Sequence, residues 1–245
     1  MSKLNVDTIE PEGASTTLTL GASGDTVTIP SGATIDASAG TATGFPGFNK
    51  WTPVTATDAT FDLQSGTTKL IIEVQAAGGG GGASNADGGR SGGPGGAGAY
   101  AKKLLTSMVD TDTLNITIGA AAGVGASGTT TSVASASGTS FTTITCTGGA
   151  GGASANGGPG AGGAGGAVPT TGDLNIKGQD GAFTDHAQED VTGGNSMFGF
   201  GGQNAASITV AGAGSGYGSG GQGGRGTSNA GAAGTAGIVI IWEYK

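Results

Sequence analysis

The chain has 245 residues, 56 of them Gly, with 11% charged and 5% aromatic residues and a formal net charge of −8, against a usual glycine share of roughly 7%. Nine Lys and Arg against 17 Asp and Glu exclude a broad electrostatic attraction to the phosphates of nucleic acid or of an anionic membrane. No apolar run approaches the roughly 18 residues of a membrane span, and one cysteine, Cys146, excludes an intrachain disulfide.

From the N-terminus, MSKLNVD lacks the apolar core of a signal peptide, so the chain is expected to be made and kept soluble. Residues 1–45 hold short alternating patches, Leu18-Thr19-Leu20 and Val27-Thr28-Ile29, separated by the turn signals GASGD at 21–25 and Pro30-Ser31-Gly32. So few apolar residues cannot close a core alone. This segment is therefore expected to intertwine with copies of itself, as a homotrimer. Phe45, Pro46, Phe48 and Trp51 interrupt a run of small residues, so residues 46–51 are expected to be a joint between the segment 1–45 and a second domain, 52–245.

In that second domain, TTKLIIEV at 67–74, TLNITI at 113–118 and GIVIIWEY at 237–244 read as β-strands. A further strand is expected to begin near Ala101, with Tyr100 at its junction; a buried tyrosine hydroxyl there needs a partner. Between the strands lie glycine tracts at 78–98, 148–166, 193–202 and 212–226. Each Gly costs about 1 kcal/mol relative to Ala inside a helix, and glycine has no side chain with which to pack as an ordinary strand. The conformation left is an extended threefold helix of the polyproline II type. Such helices pack side by side through N–H···O=C and Cα–H···O contacts without a hydrophobic core. The fold class expected is mainly β with packed polyglycine II-type helices and little or no α-helix. The competing reading of the tracts is flexible linker, which sits poorly with long loops between strongly apolar strands.

The ordered blocks 68–82 (TKLIIEVQAAGGGGG), 99–104 (AYAKKL), 172–178 (GDLNIKG), 198–202 (FGFGG) and 237–244 (GIVIIWEY) resemble the glycine-rich domain of bacteriophage tail fibres. The stretches 3–11, 17–21 and 25–30 resemble fibre proteins of marine phages. The resemblance implies a rigid polyglycine platform in the virion, displaying variable loops to a host surface glycan or outer-membrane protein. It also implies an N-terminal segment that docks to other tail proteins. Phe198 and Phe200, lying in one of these blocks, are expected in the core.

Chemistry is sparse. Gly89-Arg90-Ser91-Gly92-Gly93 matches the bare G-x-S-x-G string but sits in a glycine tract rather than a strand-to-helix turn. No G-x-x-x-x-G-K-[ST] occurs. His186 is the only histidine, and a triad also needs a fixed serine and an oxyanion hole. Asp180, Asp185, Glu189 and Asp190 are the hard oxygen ligands a calcium ion would want, without the spacing of an EF-hand loop, and read as a solvated acidic loop. Scattered carboxylates nominate no glycosidase pair. The expectation is a protein that is not an enzyme, with no cofactor and no metal.

Recognition is expected instead in loops of irregular polar content on a rigid scaffold. The candidates are Asn85, Asp87 and Arg90 in one loop, Phe183, Asp185, His186 and Gln188 in a second, and Arg225 and Asn229 in a third. The alternative is a purely structural virion fibre or decoration; an ice-binding face is a more distant reading.

Overall fold

The computed structural model describes residues 47–85, 90–182, 191–203 and 210–245, all within the second of two units into which the chain divides, Phe45–Lys245. The N-terminal segment 1–45 and its expected trimer lie outside the described residues. Among those described there is no helix, and the fold is mainly β, built on two antiparallel sheets.

Among the described residues nine strands occur in chain order: β1 (Phe48–Val54), β2 (Asp58–Asp62), β3 (Lys69–Gln75), β4 (Tyr100–Leu105), β5 (Thr113–Thr117), β6 (Thr131–Ser137), β7 (Ile144–Cys146), β8 (Leu174–Ile176) and β9 (Ile238–Tyr244). One sheet has the order β1-β9-β3-β4-β8, the other β2-β5-β6-β7. The strands read from sequence at 67–74, 113–118 and 237–244 are β3, β5 and β9, and the one expected near Ala101 is β4. Residues 46–51, expected as a joint, instead supply from Phe48 onward the edge strand β1, paired along β9. Pro53 is tolerated there because an edge strand needs only one side of its hydrogen-bonding capacity.

Alternation places one face of each sheet inward. Leu70, Ile72 and Val74 of β3, Ala101 and Leu105 of β4, and Val239 and Ile241 of β9 meet Leu114 and Ile116 of β5, Val133 of β6, and Ile144 and Cys146 of β7 in one buried cluster. The Cys146 thiol is pushed up to about 12 by burial, so it stays a neutral, unreactive core group. On the outer face of the five-stranded sheet, Trp51 stacks on Trp242 with ring centroids 5.8 Å apart. The Glu73 carboxylate there accepts from Trp242 Nε1 (2.9 Å) and Tyr100 Oη (2.7 Å). Tyr100 is buried, and its hydroxyl has the partner it needs. Its ionisation is pushed up, first by burial and then by that carboxylate.

The glycine tracts continue the strands. β3 runs on into 76–85, and 90–99 returns into β4; 147–155 leaves β7; 229–237 enters β9. These stretches are extended segments whose hydrogen bonds fan out with a period of three. From 76–85, Gly79 and Gly82 donate to Gly96 and Gly93, Gly78 and Gly81 to Thr235 and Ala232, and Ala77 and Gly80 to Thr129 and Ala126. Segment 91–99 is enclosed on all sides. It donates to Gly224, Gly221 and Gly218, to Ala153, Ala150 and Thr147, and to Gln179, and it accepts from Gly79, Gly163 and Gly194.

Glycine is required there for closeness. No glycine within 78–82 or 92–98 has a positive φ, yet a Cβ on Gly81 would lie 2.0 Å from the Gln222 carbonyl oxygen and one on Gly95 2.0 Å from that of Gly79. Only a residue without Cβ lets backbones pack at this distance.

Phe198 and Phe200 part company. Phe198 is half-buried, edge-on to Tyr100 at 5.7 Å, but Phe200 is 76% exposed, which corrects its expected place in the core. The chain bridges Phe198 to Tyr217 and then enters Gly201 and Gly202, whose backbones pack directly on their neighbours. No side-chain space remains beside them, and Phe200 turns outward.

Candidate functional site: one end of the glycine-rich bundle

The end of the extended segments remote from the strands gathers several turns. Segment 76–85 rises to Asn85 and the chain returns from Arg90; 225–229 and 154–160 turn beside them. The turns are tied backbone to backbone. Ser84 N donates to Asn229 O (2.9 Å) and Ser228 N to Asn85 O (2.8 Å), while Asn229 N donates to Ser84 Oγ (2.8 Å). Ala155 N donates to Ala83 O and Gly160 N to Ser91 O, both at 2.9 Å. Gly157 and Gly226 at φ 68° and 72° supply the left-handed turn positions.

Four of the nine candidate residues, Asn85, Arg90, Arg225 and Asn229, fall in this region. Arg90 is exposed, Asn85 and Asn229 are half-buried, and Asn229 Nδ2 bonds Arg225 O. Arg225 is only 9% exposed, so it supports the turn more than it displays charge. Asp87, Phe183, Asp185, His186 and Gln188 lie outside the described residues, although the flanks of the second loop are joined by Ala182 N to Thr192 O at 3.2 Å. Sequence reasoning passed over the exposed turn at Asn156. Its signal was the Asn-Gly pair followed by Pro159, a turn composition set inside a glycine tract.

Among the described residues at this end, no side chains are gathered into a catalytic constellation. Ser91, the serine of the G-x-S-x-G string, is fully buried among the extended segments. Asp180 is engaged elsewhere: Lys177 Nζ lies 2.7 Å from its Oδ1 and Gly165 N donates to the same oxygen. The Lys177 ammonium, then the Gly165 N–H, hold its carboxyl below the usual carboxylate range. Among the described residues no group of three or more His, Cys, Asp and Glu is placed to hold a metal ion, and no helix is long and apolar enough to cross a membrane. What the region offers is a rigidly held polar surface. Compared with known proteins, the chain matches no protein-family model and no curated relative.

Proposed function

We propose that this chain is a bacteriophage tail-fibre or fibre-tip protein. It binds a host surface glycan or outer-membrane protein through loops displayed at the end of a stiff glycine-rich scaffold. The observation that carries the reading is the convergence of Asn85, Arg90 and Asn229 with the Asn156 turn on segments locked by backbone hydrogen bonds. Their three-residue period matches three residues per turn, which supports polyglycine II-type helices. Such a scaffold fixes loop ends while leaving loop composition free to vary. In this reading residues 1–45 attach the protein to other tail proteins and form a homotrimer, and three tips engage the cell together, so that weak sites sum through avidity.

The test is adsorption. Labelled full-length protein is expected to bind host cells and to compete with phage for them, and the double variant Arg90→Glu, Asn156→Lys is expected to lose both effects. A correctly assembled oligomer that binds no host cell would sink the adhesin reading. The second reading, a purely structural virion fibre or decoration, is favoured by the outer face of the five-stranded sheet, where Phe48, Trp51, Leu104 and Leu174 are each about half exposed. A surface of that kind suits permanent packing in a particle.

A further inference from the structure

A cleft of about 290 Å³ opens where the five-stranded sheet passes into the glycine segments, lined among others by Tyr100, Ile176, Lys177, Gln179, Asn195 and Met197. Its hydrogen-bonding groups are polarised in one sense. Asn195 N donates to Gln179 Oε1 at 2.9 Å, and Gly201 N donates to Asn195 Oδ1 at 2.8 Å. A backbone N–H is only ever a donor, so each bond fixes the orientation of its amide and leaves the NH2 group as the unengaged end. Gln75, also in the wall, is engaged at both ends of its amide: its Nε2 donates to Gly98 O at 2.9 Å and its Oε1 accepts from Met197 N at 3.2 Å. The Ser196 hydroxyl is taken up by Tyr217 O and Phe198 N. Lys177 adds a cation whose pairing with Asp180 is exposed on both sides, at 48% and 57%. Such a pair is weak and yields readily to a competing anion.

The side-chain donors left to a ligand are therefore the Gln179 and Asn195 NH2 groups and the Lys177 ammonium, beside the apolar flanks of Ile176 and Met197, while the amide oxygens of Gln75, Gln179 and Asn195 are each already engaged by a backbone N–H. We infer that this cleft binds an acidic sugar residue. The ligand's carboxylate or phosphate is held by the Gln179 and Asn195 amides and Lys177, and its C–H face lies on Ile176 and Met197. The volume sits at the lower edge of the roughly 300–1,000 Å³ typical of small-ligand sites, a size for one or two sugar rings. The cleft lies at the sheet end of the segments and shares no residue with the Asn85, Arg90, Asn229 and Asn156 turns, so it is a second site that goes beyond the receptor-binding reading and rests on that reading only for the sugar's origin on a host cell.

The test is a titration of the intact protein, by calorimetry or chemical-shift mapping, with glucuronic acid, glucose 6-phosphate, glucose and inorganic phosphate. Binding of either acidic sugar, with glucose at least about tenfold weaker, is expected. The two acidic sugars distinguish carboxylate from phosphate. Gln179→Glu and Asn195→Asp keep the oxygen that accepts the backbone N–H and reverse only the free group. Each is expected to weaken acidic-sugar binding by about tenfold or more while leaving the thermal transition in place. The inference is overturned if glucose binds as well as the acidic sugars, if none of the sugars binds, if inorganic phosphate binds as tightly as glucose 6-phosphate, or if both variants bind like the parent. Because the titration uses no cells, acidic-sugar binding by a protein that fails the adsorption test would leave the cleft standing and remove only the adhesin reading.

Discussion

The strands and the glycine segments of this chain solve the same problem by opposite means. Between the sheets, order comes from branched side chains: Leu70, Ile72, Val74, Leu114, Ile116 and Ile241 are fully buried against one another, and burying each such side chain contributes roughly 1.5–3 kcal/mol. Among the extended segments there is almost nothing to bury. Residues 91–99 are as inaccessible as the sheet core, yet 92, 93, 95, 96 and 98 have no side chain, and the backbone itself is the packed surface. From Gly92 to Ala99 every residue but Pro94, which has no N–H, donates to a carbonyl of a neighbouring segment at 2.8–2.9 Å, where an unpaired enclosed N–H would cost about 1–3 kcal/mol. A side-chain core tolerates changes of shape because side chains rearrange. A backbone core has nothing that can rearrange.

That contrast makes the largest expected effect the addition of one methyl group. Gly81→Ala puts a Cβ 2.0 Å from the Gln222 carbonyl oxygen, where only backbone can give way. We expect a loss of at least about 3 kcal/mol, at or above the upper end for overpacked cores. Gly123→Ala, with nothing within 4 Å of its Cβ, is expected to stay within about 0.5 kcal/mol. Equal thermal denaturation midpoints for the two variants would show that the segments are not packed this way.

Removing atoms from the side-chain core should hurt about as much as adding one to the glycine core. Ile72→Ala deletes a fully buried side chain and is expected to cost about 2–5 kcal/mol, read by chemical denaturation. Native-state amide exchange sharpens the comparison. The N–H groups of Gly92, Gly95 and Gly98, bonded to Gly224, Gly221 and Gly218, are expected to exchange as slowly as those of Ile72 and Val74. Fast exchange there would return the tracts to flexible linker.

The sequence was legible where side chains carry the pattern and obscure where backbone does. β3, β5 and β9 announce themselves through β-branched apolar runs. β6, TSVASAS, does not, because only Val133 turns a large apolar group inward and the remaining residues are small. β7 and β8, three residues each, are too short to show a period. Yet the tracts did carry a signal, in the positions that are not glycine: Ser91, Pro94, Ala97 and Tyr100 fall at every third residue, as do Ala161, Ala164 and Ala167. The candidate residues Asn85 and Arg90 and the turn at 225–229 were readable as polar interruptions of glycine. The donor-lined cleft was not, since Gln179 and Asn195 are brought together only by the fold.

The smallest effect tests a third way of holding chain, a carboxylate that ties loops to the sandwich. Asp112, 1% exposed, accepts from Val109 N at 3.0 Å and Thr139 N at 2.8 Å. It also occupies the space that a side chain at residue 138 would need, for Gly138 has φ 82° and a Cβ there would lie 1.8 Å from Asp112 Oδ1. Burial works to raise its pKa, but the N–H groups of Val109 and Thr139 outweigh it and hold the carboxyl below its ordinary 3.8. A folded value below the unfolded one means that the contribution is complete above about pH 4 and is lost as pH falls through the lowered folded value. Asp112→Ala is therefore expected to cost about 1–3 kcal/mol at neutral pH and to show a flatter loss of stability on acidification than the parent. An acid unfolding curve parallel to the parent's would mean that Asp112 ties the loops no better charged than neutral. Any acid sensitivity would then have to come from other carboxylates, of which Asp180, paired with Lys177 beside the cleft, is the next to test.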